Sequence, residues 1–494
     1  MNSIQTTKMT NYRWIICAML FMATTVNYMD RQVLSLTYPG DGGIQQEFGW
    51  SDDNYGTITA YFSIIYAVCM LFAGKFIDWM GTRKGYLIAI FVWSTGAVLH
   101  AFCGIATSGI VTGDWLVGFE SAKEGLRAFK ASGAADAALT ISTVSVCLFL
   151  GARCVLALGE AGNFPAAIKV TAEYFPKKDR AYATAIFNSG ASVGALIAPF
   201  TIPILAKFFG WEMAFVVIGA LGYVWMGFWL FLYKKPHQNP KVNAAELTYI
   251  NQDAETDEDP KNANDDGPQI GFGKCFTYRQ TWAFIVGKFM TDGVWWFFLF
   301  WTPAYLKSQF SINPTDMEGM TLIFALYLIT MLSIFGGKLP TYFINRGMNP
   351  YAGRMRAMLI FAFFPLLGLF AQPLGGIFST PWFPIVLIGI LGAAHQSWSA
   401  NIFSTVGDMF PKSAIATVTG IGGMAGGVGS YIINKSAGAL FTYAEAQGSA
   451  FTFGGFEGKP AGYMVIFCVC AVAYLVGWVI MKILVPKYKP VIVE

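Results

Sequence analysis

Arg153 and Glu160 lie within an otherwise apolar stretch, LFLGARCVLALGEAGNFPAAIKV, residues 148–170. Each ionised side chain costs about 2.5–3.5 kcal/mol at the centre of a bilayer, so such residues need a partner or a function. On a helix the two lie on one face, two turns or about 10 Å apart. Because a guanidinium binds carboxylates through paired hydrogen bonds and a desolvated glutamate takes up protons, the pattern predicts an anion site beside a proton site. A static ion pair that only fixes helix packing is the alternative.

A second acid–base pair, Asp30 and Arg31, comes late in the first apolar stretch. Two such pairs facing one cavity would favour a binding role over packing. If Asp30 and Arg31 instead lie at the outer surface of the bilayer, the free-energy cost of their charges is small. Asn163 lies about one turn beyond Glu160, and Pro165 can kink the helix there.

Lys288 and Asp292 are one helical turn apart and can neutralise each other. Trp295 falls on the same helix face. Its indole can stack on the C–H face of a sugar, or it can pack in the core or against lipid. His395 is expected to be a neutral, hydrogen-bonded residue rather than a proton relay.

Hydroxyl and amide groups that can bind a polar substrate come from Tyr66, Asn188, Gln396 and Asn401. Tyr66 can equally be a packing aromatic. On an unbroken helix, Gln396 and Asn401 cannot both face a cavity squarely.

The composition assigns these residues to a membrane. The chain has 494 residues, of which 55% are hydrophobic and 13% charged, a balance that excludes a soluble protein of this length. Stretches of about 20 apolar residues predict twelve transmembrane helices, so the fold class is an all-α membrane protein. Neither a metal-binding cluster nor an HExxH or GxSxG motif in a suitable context is present, so we expect no enzyme activity, cofactor or metal, and the net charge of +4 gives no indication of nucleic-acid binding.

A polar segment divides the helices six plus six. We predict an N-terminal six-helix bundle at 1–233, a cytoplasmic linker at 234–279 and a C-terminal bundle at 280–494. The eighth and ninth helices are predicted at 318–344 and 355–373. Lys and Arg concentrate in alternate loops, which places both termini in the cytoplasm.

The halves also repeat. EYFPKKDRAYATAIFNSGASVGALI after the fourth helix matches DMFPKSAIATVTGIGGMAGGVGSYI after the tenth. Parallel repeats indicate two bundles related by a pseudo-two-fold axis around a central site. The first half carries an insertion at 107–138, expected on the extracellular side.

GKFIDWMGTRKG (residues 74–85) resembles the loop signature of the major facilitator superfamily. NYMDR on the first helix, GEAGNFPAAIKVTAEYFPKKDRA around the fourth and GKFMTDGVWWFFLFWTPAYL on the seventh resemble its anion:cation symporter branch, and within it bacterial hexuronate transporters. The resemblance implies that Asp30 and Glu160 carry protons and that Arg31 and Arg153 bind the substrate carboxylate. It also implies a conformational latch at the cytoplasmic helix ends, formed by Asp78, Arg83, Glu173 and Arg180.

These observations predict a monomeric, multi-pass carrier of a bacterial inner membrane that couples protons to the uptake of sugar-acid anions, with galacturonate and glucuronate as the expected substrates. Aldonates, aldarates or other organic anions remain open, because a carboxylate clamp does not identify the rest of the ligand. A membrane sensor or passive channel is the other alternative, and neither would accumulate substrate.

Overall fold

The computed structural model describes residues 9–491 except 41, 116–117, 134–135, 253–270, 337 and 411. Some helical side chains, among them those of Asp78 and Arg180, also lie outside the described part. The described chain is almost entirely helical, which confirms the prediction of an all-α membrane protein. A short antiparallel hairpin, β1 (Thr452–Phe453) and β2 (Phe456–Glu457), precedes the last helix.

The first half begins with long apolar helices whose ends are set by local capping. Ser51 accepts a hydrogen bond from the Asn54 amide, and Asp52 and Asp53 lie in the following turn, where carboxylates stabilise the positive end of a helix. The helices of this half are α1 (Tyr12–Thr37), α2 (Ile44–Phe48), α3 (Asp52–Met80), α4 (Thr82–Thr112), α5 (Phe119–Ala131), α6 (Ala137–Glu160), α7 (Asn163–Tyr174), α8 (Lys177–Phe209) and α9 (Trp211–Leu232).

The described parts of the linker are partly helical. They contain a 3₁₀ turn (Pro236–Gln238), α10 (Ala244–Ile250) and α11 (Phe272–Cys275). Glu246 of α10 is fully buried and accepts hydrogen bonds from the backbone amides of Tyr12 and Arg13, the first residues of α1. The linker therefore supplies a cap for the first membrane helix.

The second half contains two interrupted spans. Its elements are α12 (Arg279–Phe310), α13 (Met317–Thr330), α14 (Ser333–Gly336), α15 (Lys338–Asn345), α16 (Pro350–Phe363), a 3₁₀ stretch (Phe364–Phe370), α17 (Ala371–Ile377), α18 (Trp382–Met409), α19 (Lys412–Gln447), a 3₁₀ turn (Gly448–Ala450) and α20 (Lys459–Leu484).

Nine helical segments of the described chain are long and apolar enough to cross a membrane, with α6 and α7 counted as one segment, Ala137–Tyr174. α1, the interrupted α13–α15 and α19 complete the twelve spans predicted from the sequence. The bundle boundaries at 1–233 and 280–494 stay predictions.

The helix that carries Glu160 breaks directly after it. α6 ends at Glu160 and α7 begins at Asn163. Glycine is required here, because a Cβ at Gly159 would lie 2.2 Å from the Trp93 backbone nitrogen on α4. The close approach of α4 and α6 brings Trp93 to the buried charges described below.

The predicted insertion at 107–138 is partly helical. α4 continues to Thr112, and α5 packs against it through Ala122 and Leu126, which are buried. Lys123 of α5 pairs with Glu212 at the start of α9, with 3.0 Å between Nζ and Oε1. The insertion is therefore tied to the N-terminal helices.

The two halves meet most extensively where α3 packs along α19. A Cβ at Gly56 would lie 2.7 Å from the Asn434 carbonyl oxygen, and one at Gly438 would lie 2.5 Å from the Asp52 carbonyl oxygen. These glycines let the two backbones touch, so this end of the molecule, at which α3 begins, is closed.

Candidate functional site

A cavity of about 370 Å³ lies between the two halves. Small-molecule sites in proteins span roughly 300–1,000 Å³, so this cavity is of suitable size. Both halves contribute polar and aromatic side chains to its wall, including Tyr28, Asn188, Trp295, Tyr327, Gln396 and Ser399. The sequence-predicted residues Asn188, Trp295 and Gln396 are thus brought together around one space.

Arg31 and Glu160 form a buried ion pair that joins α1 to α6. Arg31 Nε donates to Glu160 Oε2 at 2.7 Å, and neither side chain is more than 5% exposed. The guanidinium carbon of Arg31 also lies 4.5 Å from the ring centroid of Tyr66 and 5.1 Å from that of Tyr28. Tyr28 therefore contacts both the cavity and the buried cation.

Arg153 has unused hydrogen-bonding capacity. Its Nη2 donates to the backbone carbonyl of Arg31 at 3.1 Å, and its guanidinium lies 4.6 Å from the ring centroid of Phe62. Within the described part of the chain, Nε and Nη1 have no hydrogen-bond partner, although the residue is only 1% exposed. Since buried donors are nearly always paired, this arginine can receive an anion or water.

Asp30 completes this cluster. One carboxylate oxygen accepts a hydrogen bond of 2.9 Å from Trp93 Nε1, and the other has no partner among the described residues. Other polar atoms of this group of residues that lack a hydrogen-bond partner include Nδ2 and Oδ1 of Asn27, Nη2 of Arg31 and Oε1 of Glu160. Asn27 belongs to the NYMDR motif but is not among the site residues predicted from the sequence. Such a concentration of unpaired polar atoms makes this region a candidate binding site.

Asn163 is fully buried at the start of α7, where its side-chain oxygen accepts a hydrogen bond of 2.7 Å from the Tyr86 hydroxyl. Asn163 is not part of the cavity wall. Its substrate contact stays a prediction.

Lys288 and Asp292 form a second ion pair, on α12, with 2.6 Å between Nζ and Oδ2. The lysine Nζ lies 4.3 Å from the ring centroid of Phe403, which lines the cavity. Trp295 stacks on His395 with a centroid distance of 5.6 Å and an interplanar angle of 9°. His395 Nδ1 in turn shares a hydrogen bond of 2.7 Å with the Tyr474 hydroxyl.

α18 is continuous and presents its two predicted amides differently. Gln396 lines the cavity, whereas Asn401 is buried and donates to the Ser397 carbonyl at 2.8 Å. Tyr66 is likewise directed to Arg31 and is not part of the cavity wall. A direct role in substrate binding for Asn401 and Tyr66 stays a prediction.

The residues expected to form a latch make contacts within the first half. Arg83 donates to the Leu230 carbonyl at 2.7 Å. Glu173 accepts hydrogen bonds from the hydroxyls of Thr82 and Tyr233. The side chains of Asp78 and Arg180 lie outside the described residues, and the latch stays a prediction.

Ion pairs at the closed end were not predicted. Asp53 pairs with Lys435 of α19 at 2.7 Å, and Asp52 pairs with Lys459 of α20 at 2.6 Å. The acidic start of α3 is visible in the sequence, but its partners lie hundreds of residues away. Among the described residues no His, Cys, Asp or Glu cluster could hold a metal ion.

Comparison with known proteins gives concordant findings. The sequence profile described as Major Facilitator Superfamily matches residues 20–433. The chain is 28% identical to a "Hexuronate transporter" of Escherichia coli (strain K12), covering 88% of each chain. It is 25% identical to a "Probable galactarate/D-glucarate transporter" of the same strain, covering 92% of this chain and 94% of the relative. A bacterial homologue of the human lysosomal transporter Spinster, solved in an inward-facing and unoccupied conformation, superposes with a TM-score of 0.64 at 17% identity over 96% of this chain and 98% of that structure.

Proposed function

Since this chain belongs to the Major Facilitator Superfamily, we propose that it is a secondary carrier that couples protons to the uptake of small sugar-acid anions, with the aldohexuronates galacturonate and glucuronate as its substrates. Relatives named as hexuronate and galactarate/glucarate transporters support sugar-acid transport. The chain is a multi-pass protein of a bacterial inner membrane, and we place both termini in the cytoplasm because basic residues concentrate on that side.

The observation that carries the proposal is the unpaired guanidinium edge of Arg153, buried beside the Arg31–Glu160 pair. A buried cation with free N–H donors favours a carboxylate ligand, because charge-assisted hydrogen bonds are about twice as strong as neutral ones. Arginine also stays protonated at any physiological pH, so its affinity for an anion does not depend on its own titration.

Glu160 provides the coupling in this proposal. When it is ionised, it holds Arg31 through a hydrogen bond of 2.7 Å and competes with an incoming carboxylate. A proton on Glu160 removes that competitor and leaves Arg31 able to bind the substrate. Proton and anion therefore bind cooperatively, and each raises the affinity for the other by the same factor. Asp30, with one unpaired carboxylate oxygen, is the second proton carrier.

The sugar part of the substrate occupies the cavity. Tyr28 lines the cavity and its ring lies against the Arg31 guanidinium, so in this proposal the substrate carboxylate reaches Arg31 once the Tyr28 ring turns aside. Trp295 offers an aromatic face to the sugar ring, while Asn188 and Gln396 offer amides to its hydroxyls. These groups come from α8, α12 and α18, so the substrate bridges the two halves.

Alternating access follows from the charge balance of this site. A substrate anion without a proton, or a proton without substrate, leaves an uncompensated charge in a low-dielectric space, which is expensive. Only the empty or the fully loaded carrier then moves between the states open to either side. The closed seam between α3 and α19 belongs to one of these states.

Uptake of labelled galacturonate into membrane vesicles with an imposed pH gradient tests the proposal, with competition by a panel of sugar acids. Glu160→Gln should abolish accumulation while retaining exchange of substrate between the two sides, and Glu457→Gln at an exposed site should behave like the parent. If the parent does not accumulate any sugar acid, the proposed function is wrong. If Glu160→Gln concentrates galacturonate as the parent does, Glu160 is not the coupling residue.

Aldarates are the second candidate substrates. They carry a carboxylate at each end, and the cavity has a buried cation associated with each half, Arg31 and Lys288. The galactarate/glucarate relative supports this candidate as well. Competition of galacturonate uptake by galactarate separates the two possibilities.

A further inference from the structure

The ion pair on α12 has no part in the coupling described above. Lys288 and Asp292 are one turn apart and both lie within a membrane-spanning helix. The lysine side chain is 5% exposed, whereas that of Asp292 is 16% exposed. A buried ion pair is costly to desolvate and is weak evidence for a stabilising role, so its presence calls for another explanation.

The surroundings of Asp292 leave Lys288 as its cationic partner. The neighbouring α18 and α20 present His395 and Tyr474, which are bonded to each other. From α1, Arg31 approaches α12, with its guanidinium carbon 5.6 Å from the ring centroid of Trp296, and from α13 Tyr327 packs edge-on against Trp295. The facing part of α19 presents glycine, where a Cβ at Gly426 would lie 2.4 Å from Asp292 Oδ2. Among these described residues, a proton on Asp292 leaves Lys288 as an uncompensated cation.

The uncompensated Lys288 ammonium group would lie beside the cavity. Phe403, below Lys288 Nζ, and Trp295, on the same face of α12, both line it. The ring centroid of Tyr28, which also lines it, lies 5.1 Å from the guanidinium carbon of Arg31, the partner of Glu160. The cavity is therefore flanked by two ion pairs, one on each half of the molecule, and each contains one basic group and one acid.

We propose that Lys288 and Asp292 form a second, proton-controlled anion subsite, in which protonation of Asp292 frees Lys288 to bind the far carboxylate of a dicarboxylic sugar acid. The inference rests on the proposed function, since it assigns a role in the same transport cycle. The proton enters from the solution on the side where substrate binds and leaves to the opposite side after release. No covalent bond to carbon forms or breaks.

The charge balance of the two ion pairs determines how many protons accompany each substrate. Each ion pair is neutral when its acid is ionised, so a monoanion that displaces Glu160 from Arg31 brings one proton to Glu160 for its own charge, while the proton on Asp30 is common to both substrates. A dianion that also displaces Asp292 from Lys288 needs one more. The number of protons carried per substrate should thus be larger by one for galactarate than for galacturonate.

The test uses the purified full-length protein in proteoliposomes. The pH gradient at which net flux reverses is measured at a fixed substrate gradient with the membrane potential held at zero, with galacturonate as the monoanion and galactarate as the dianion. We expect one additional proton for galactarate in the parent. Asp292→Asn, which leaves Lys288 permanently unpaired, should remove that proton. Asp408→Asn is the matched control, because Asp408 pairs with Arg354 at 2.7 Å away from the cavity wall, and it should retain the parent proton numbers.

Equal proton numbers for both substrates in the parent, absence of galactarate flux, or an unchanged number in Asp292→Asn would each overturn the inference. Should Asp292→Asn fail to fold, Lys288→Gln replaces it and should raise the KM for galactarate by about tenfold, the equivalent of 1.4 kcal/mol. An unchanged KM would refute the subsite. Parent protein that accumulates neither acid would refute the proposed function instead, so the two failures are distinguishable.

Discussion

Arg31 Nε and Glu160 Oε2 are 2.7 Å apart, which links α1 to α6 in the interior of the membrane-spanning part. The partner of Glu160 is thus a cation on a different helix, and not Arg153, which lies on the same helix as Glu160. The two arginines are nevertheless coupled, because Arg153 donates to the backbone carbonyl of Arg31. A displacement of Arg31 by substrate is therefore transmitted directly to Arg153.

Arg153→Lys should weaken substrate binding although the charge is kept. An ammonium cannot hold the Arg31 carbonyl and present two further donors in the fixed geometry that Nε and Nη1 of arginine provide. We expect the KM for galacturonate uptake to rise by about tenfold or more, which corresponds to roughly 1.4 kcal/mol. Initial uptake rates measure this. Arg354→Lys, outside the cavity wall, is the control, and a parent-like KM in Arg153→Lys would remove Arg153 from the anion site.

The ion pairs at the closed end should differ in their effect on conformation. Asp53 and Lys435 are each more than a third exposed, and such pairs contribute about 0–1 kcal/mol. Asp52 is 2% exposed, accepts a hydrogen bond from Tyr38 and pairs with Lys459. Removal of one partner of a buried pair costs about 3–5 kcal/mol, so Asp52→Asn should open this end far more than Asp53→Asn.

The opening can be measured by the alkylation rate of a cysteine at Ser63, a residue buried at the seam against Ser430. In the Ser63→Cys background we expect at most about a fivefold rate increase from Asp53→Asn, as the pair contributes about 1 kcal/mol or less. Asp52→Asn should give a larger increase. Equal rates in the two variants would show that these pairs do not hold the end closed.

Hydropathy predicted the fold well because a bilayer selects apolar segments locally, independent of their partners. The ninth helix, predicted at 355–373, lies within the membrane-spanning segment Pro350–Ile377. The interruptions within the helices were harder to predict from the sequence. The span predicted at 318–344 breaks after Thr330. Gly336, at the end of the following α14, lies so close to α18 that a Cβ would be 2.0 Å from Ser397 Oγ. Such contacts between helices distant in sequence have no local signal.

In the candidate site, too, some contacts can be predicted from local sequence and others depend on how distant helices pack. The Lys288–Asp292 pair is readable from the sequence because both residues occupy one helix face, one turn apart. The sequence also predicts Arg31 and Glu160 to be buried charges, but their pairing depends on how α1 packs beside α6. Trp93, which holds Asp30, gives no sequence signal at all, since its position depends on the close approach of α4 to Gly159.

Contacts around Glu47 should make the loops at the closed end sensitive to pH. Burial, partly offset by a hydrogen bond from Trp211 Nε1, raises the pKa of Glu47 from 4.5 to about 7; Glu212 adds to the rise, whereas Lys123 and Arg127 oppose it. Between these two values the folded chain binds a proton that the unfolded chain does not. The associated stabilisation is complete below pH 4.5 and is lost as the pH rises through about 7.

We therefore expect α2 and α5 to exchange backbone amide hydrogens faster at pH 8 than at pH 6, after correction for the intrinsic exchange rate. Glu47→Gln should abolish the difference, and exchange in α20 should not depend on pH in this way. Identical pH dependence in the parent and Glu47→Gln would exclude Glu47 as the source.

Glu246 should stabilise the first membrane helix from the linker. Its carboxylate pairs with the Arg13 guanidinium at 3.0 Å and accepts the backbone amides of Tyr12 and Arg13, which begin α1 and have no partner within the helix. Glu246→Ala leaves the Arg13 cation and these amides buried without an acceptor, a loss of about 3–5 kcal/mol. Thermal unfolding of the detergent-solubilised protein should show a lower Tm for Glu246→Ala and a smaller decrease for Glu246→Gln, whose amide oxygen can still accept hydrogen bonds. Glu124→Ala on the exposed face of α5 is the control, and a Tm for Glu246→Ala equal to that of the control would mean that the linker does not cap α1.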